Sequence, residues 1–87
     1  MSNGAAELRS LLKDVSLAGA IIIDKKKLLW LLGWGQDRAG AWKGLLEHWV
    51  ELGEDEATLY GMEVHDKIVL SWQPGRLVPI KDWAKAS

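Results

Sequence analysis

Two aspartates and two glycines divide the middle of this chain into a pair of short segments. Asp24 precedes and Gly33 follows Lys25 to Leu32, and Asp37 precedes and Gly53 follows Arg38 to Leu52. An aspartate at a helix start accepts a hydrogen bond from an unpaired backbone N–H, and a glycine past the end takes the left-handed conformation that stops a helix. The pattern predicts helices over about 25–33 and 37–52, joined by the tight connection Trp34-Gly35-Gln36. Leu28, Leu31 and Leu32 form the inward stripe of the first, and Ala39, Trp42, Leu46, Trp49 and Val50 that of the second. Two amphipathic helices joined so closely must share one core.

The flanks supply the rest of an α+β chain. Ser2-Asn3-Gly4 are capping residues, and Leu8, Leu11, Leu12 and Val15 recur at helical spacing, predicting a first helix over about 4–15. Ile21, Ile22 and Ile23 are β-branched and favour a strand over about 19–23. After the acidic turn Glu54-Asp55-Glu56, strands are expected over about 57–64 and 67–72, forming a hairpin around His65-Asp66 with Gly61 as a bulge. Gln73-Pro74-Gly75 breaks the second strand, leaving 76–87 as a C-terminal extension in which Leu77 to Ala86 form a further strand or helical turn carrying Trp83.

At 87 residues the sequence predicts one domain, 1–87, with one modest core and no room for a large internal cavity. The apolar run Leu28 to Trp34 is 7 residues long, against the roughly 20 that span a bilayer, so no membrane association is expected. Met1 to Ala6 offers neither the basic start nor the apolar stretch of a signal peptide, which predicts a cytoplasmic protein, or a nuclear one in a eukaryote. The absence of cysteine excludes disulfides and thiol chemistry. His48 and His65 are the sole histidines, and no nucleophile, base and orienting group assemble from recognisable spacing. Glu47, His48 and Glu51 share a helix face but make a weak metal set, better read as a solvated surface. The expectation is a non-enzyme without metal or cofactor.

Charge is unevenly distributed although the net is -1. Residues 25–43 hold Lys25, Lys26, Lys27, Arg38 and Lys43 against Asp37, five minus one or +4, whereas 47–66 hold seven acidic residues and no Lys or Arg, or -7. Such polarity bears on partners more than the total does.

The order helix, strand, helix, helix, hairpin resembles the winged helix-turn-helix superfamily. The resemblance covers about residues 5–72 and rests on Leu28-Leu29-Trp30-Leu31-Leu32-Gly33, Gln36-Asp37-Arg38-Ala39, Leu45-Leu46, Glu51-Leu52-Gly53 and Ala57 to Trp72. Gly33, Ala39 and Leu52-Gly53 match the superfamily pattern, while the third helix is about one turn longer than usual. The resemblance implies three helices, a short strand and a hairpin wing, with the third helix entering the major groove of double-stranded DNA. Under it, Lys25, Lys26, Lys27 and Lys67 hold phosphates while Gln36, Arg38 and Lys43 address the groove, as in a transcriptional regulator or accessory factor acting as a dimer.

Against this stand a pI near 6.1 and a mid-helix face of Gly40, Ala41, Gly44, Glu47 and His48, poor in the side chains that read base edges. The alternative is a winged helix that binds protein, as an adaptor, dimerisation unit or small inhibitor. Its contact surface would be Trp30, Gly40, Gly44, Glu47 and Glu51. Of the six tryptophans, Trp42 and Trp49 are seven apart and expected in the core, whereas Trp30 lies opposite the leucine stripe and is expected at the surface.

Overall fold

The computed structural model describes residues 4–73 and 75–85. The expected caps Ser2 and Asn3, the breaker Pro74 and the end of the C-terminal extension lie outside them. The described chain is α+β, with four α-helices and a four-stranded antiparallel sheet.

Helix α1 spans Ala5–Ala18, three residues beyond expectation, because nothing after Val15 opposes the helix until Gly19. Gly19 has a φ of 96° and donates its N–H to the Val15 carbonyl. Leu8, Leu12 and Val15 are fully buried. Strand β1 follows over Ala20–Asp24, with Ile23 inward and Ile22 outward, as side-chain alternation requires.

Helix α2, Lys25–Leu31, is shorter than expected. It closes with Gly33 N–H on the Trp30 carbonyl and Trp34 N–H on the Leu29 carbonyl, the paired bonds of a Schellman motif built on Gly33, whose φ is 82°. Helix α3 covers Ala39–Glu51 and not 37–52. Asp37 does not cap it: its carboxylate accepts a hydrogen bond from Trp42 Nε1 at 2.7 Å and pairs with Lys25 at 2.8 Å. The helix therefore starts two residues later, and the α2–α3 connection grows from the three expected residues to Leu32 through Arg38.

The buried stripe of α3 is Ala41, Trp42, Leu45, Leu46 and Trp49. Val50, expected inward, is 47% exposed, and Ala41, expected on the outer surface, is fully buried. The helix is thus rotated relative to the expected stripe, which pairs residues one and four apart. Trp49 is fully buried and satisfies its Nε1 on the Asp55 carbonyl at 3.1 Å and Thr58 Oγ1 at 3.2 Å.

Glu56–Thr58 form a 3-10 turn instead of the start of a strand, because the Asp55 side chain accepts the Ala57 N–H and Thr58 Oγ1 bonds the Asp55 carbonyl. Strands β2, Tyr60–Val64, and β3, Lys67–Ser71, then form the hairpin, with His65 at a φ of 52° in the two-residue turn. The expected bulge is absent, since Gly61 pairs with Leu70 in unbroken register. Gly61 is needed for space: a Cβ there would lie 2.6 Å from Ile80 Cδ1 and 3.2 Å from the Val69 carbonyl oxygen.

The extension contributes both a strand and a helix. Strand β4, Val78–Pro79, adds to β2, giving the order β1-β3-β2-β4. Helix α4, Ile80–Lys85, then packs on α3, where Trp83 meets Trp42 edge to face at 4.9 Å between centroids. One apolar cluster from all four helices and the inner sheet face fills the interior.

Candidate nucleic-acid interface

Lysines at a helix start adjoin whatever loops pack against that start, and this settles much of the basic segment. Lys25 is half-buried, and its Nζ lies 2.8 Å from Asp37 and 3.1 Å from Glu63. It ties together α2, the α2–α3 connection and β2. The Asp37 and Glu63 carboxylates, against an opposing cost of burial, raise the Lys25 pKa, and Lys25 together with the Trp42 indole lowers that of Asp37.

Lys27 pairs with Glu7 of α1 at 3.1 Å, and Lys67 pairs with Asp24 across the β1–β3 ladder. The Lys67 ammonium lowers the Asp24 pKa, chiefly through their hydrogen bond. Both pairs are exposed, and exposed pairs contribute only about 0–1 kcal/mol, so either lysine can exchange its carboxylate for a phosphate. Lys26 and Lys43 are exposed and make no ion pair among the described residues.

Arg38 and Gln36, both exposed, engage each other: Nε and one terminal nitrogen of Arg38 donate to Gln36 Oε1 at 3.1 and 2.8 Å. The guanidinium is thereby held at the entry to α3. One turn on, Gly44 opens directly to space, with nothing within 4 Å of a Cβ placed there.

The protein-contact candidates divide differently. Trp30 is 55% exposed on α2, as its place opposite the leucines predicts. Gly40 is not an open position, because the Trp34 ring lies over it. Glu47 is exposed, and Glu51 accepts a hydrogen bond from Arg9 of α1 at 3.2 Å.

Tertiary structure also adds cations that chain order does not suggest. Lys81 and Lys85 of α4 line one groove with Lys43 of α3, floored by Leu46, Val50 and Ala84 and bordered by Glu47 and Glu56. Their four-residue spacing places them on one helical face, a signal visible once 80–85 is known to be helical. A second cleft, of about 770 Å³, runs between Arg38, Trp42, Glu63, Asp82 and Trp83. Among the described residues, no helix is long and apolar enough to cross a membrane.

Compared with protein-family models, curated proteins and solved structures, the chain matches none.

Proposed function

We propose that this chain is a winged helix-turn-helix domain that binds double-stranded DNA, as a regulator or accessory factor. The observation that carries the reading is topological. The elements run α1-β1-α2-α3-β2-β3 with β3 between β1 and β2, an order that supports the winged-helix reading and to which β4 and α4 are added, and among the described residues nothing lies within 4 Å of a Cβ placed at Gly44 of α3. In this reading Lys26, Lys27, Lys43 and Lys67 hold phosphates, joined by Lys81 and Lys85, while Gln36 and Arg38 approach base edges from the start of α3. Lys25 is reassigned as a residue that holds the fold, since phosphate binding would leave Asp37 and Glu63 without their cation. The two-residue hairpin turn makes a short wing, so contact is concentrated on the helices. Such a role belongs in the cytoplasm, or in the nucleus of a eukaryote.

The test is fluorescence anisotropy of a labelled mixed-sequence duplex with the full chain from about 50 to 200 mM salt, where each neutralised phosphate contributes a log–log slope of about -0.9. Binding with a slope of about -3 to -5, weakened by K43E, is expected for so small a set of free cations. An absence of binding at the lowest salt overturns the proposal.

A second reading, a protein-binding winged helix, is favoured by Trp30, a large indole more than half exposed on α2, because half-exposed tryptophans serve as interface anchors. Trp30→Ala would then abolish partner binding while K43E leaves it intact.

A further inference from the structure

The fold holds Arg38 in place without neutralising it. Its carbonyl accepts the Ala41 N–H at 2.9 Å, which fixes the residue at the start of α3. Asp37, its neighbour in sequence, and Glu63, on the adjoining cleft, could each offer it a carboxylate, but Lys25 takes both. Among the described residues Arg38 makes no ion pair. Its partner is the neutral amide of Gln36, whose Oε1 accepts from Nε and from one terminal nitrogen. A guanidinium carries five N–H donors in a planar fork. Nε and the terminal nitrogen beside it form one edge of that fork, which is spent on Gln36. The two terminal nitrogens form a second edge, and each retains a donor there.

We infer that Arg38 recognises guanine in the major groove through this second edge, and that Gln36 is a positioning residue for Arg38 and not itself a reader of bases. The inference rests on the DNA-binding reading above and names the base that site addresses. Two parallel donors need two adjacent acceptors. Guanine presents N7 and O6 together in the major groove, whereas adenine and cytosine each present an amino donor and thymine a single oxygen beside a methyl group. A glutamine specifies adenine by accepting from N6 while donating to N7. The Gln36 oxygen has two lone pairs and already accepts two hydrogen bonds, so it has none left for N6. A neutral partner also differs from a carboxylate in its effect on Arg38. It orients the fork without cancelling the charge, and it removes beforehand some of the rotamer freedom that a long side chain loses on binding.

Fluorescence anisotropy of the full chain at about 50 mM salt tests this with two labelled mixed-sequence duplexes, one natural and one with every guanine replaced by 7-deazaguanine. The replacement removes N7 and leaves base pairing and phosphates in place. The natural duplex is expected to bind about tenfold more tightly, within the range of one bidentate base contact. Arg38→Ala is expected to abolish that ratio and Gln36→Ala to reduce it about threefold, both with unchanged thermal melts because the two side chains are exposed. A structural or phosphate-binding role would move both affinities together and leave the ratio alone. In the Arg38→Ala background, Gln36→Ala is expected to have no further effect, as for two residues that act through one contact. Failure of both duplexes to bind overturns the DNA reading and the inference with it. Equal binding of the two duplexes, a ratio that survives Arg38→Ala, or an effect of Gln36→Ala that persists without Arg38 overturns the inference alone.

Discussion

The indole of Trp34 lies over Gly40, so close that a Cβ at position 40 would sit 2.5 Å from the ring's Cη2. The two residues come from opposite ends of the α2–α3 junction, and their contact sets how the connection folds back on the start of α3. A glycine in a helix ordinarily costs stability relative to alanine, and here the absent side chain is what admits the ring. Gly40→Ala is expected to destabilise the protein by about 1–3 kcal/mol in urea denaturation, as overpacking does. Gly44→Ala, four residues on with open space above it, is expected to stabilise by about 0.5–1 kcal/mol, the ordinary helix-propensity gain.

Acid stability should depend on Asp37. Its pKa is lowered in the folded state, by Lys25 first and Trp42 next, so its contribution is present above the unfolded value of about 3.9 and is lost as pH falls through the lower folded value. Asp37→Asn is expected to flatten the stability profile below about pH 4, read by chemical denaturation at successive pH values. Lys25 has the opposite sign: its raised pKa gives a contribution fully present below about 10.4 that is lost as pH rises through the folded value. A Lys25→Met variant whose melting temperature matches the wild type at pH 7 would contradict the linking role assigned to Lys25.

Trp49 is the largest fully buried side chain and the one whose polar atom is most completely provided for. Trp49→Ala should cost about 3–5 kcal/mol from cavity formation. Trp49→Phe should recover most of the packing yet release the Asp55 carbonyl and Thr58 hydroxyl, lowering stability by about 1 kcal/mol. Amide exchange should then rise at Ala57 and Thr58, where the 3-10 turn loses its anchor.

DNA binding and folding should separate between two neighbouring lysines. Lys26→Glu is expected to lower duplex affinity and reduce the salt slope by about 1 with no change in melting temperature. Lys25→Met is expected to lower the melting temperature while the salt slope stays within about 1 of the wild type. Anisotropy and thermal melts of both variants make the comparison.

Local chemistry alone determined the positions and types of the main helices and of the hairpin. Leucine spacing, β-branched Ile21 to Ile23, and Gly33 and Gly53 as stops all act within a few residues of themselves, and each element appears close to where they put it. The surface place of Trp30 and the burial of Trp42 and Trp49 followed from the same spacing. Only tertiary structure decided where the aspartates went. Asp24 and Asp37 have the chemistry of caps, but a lysine reaching from another strand or helix offers a full charge, and each carboxylate took it. Tertiary structure also brought Lys81 and Lys85 beside Lys43 and laid Trp34 over Gly40. It set side by side the strands β1, β3 and β2, because register across strands from distant parts of the chain is set by packing and not by neighbours in sequence.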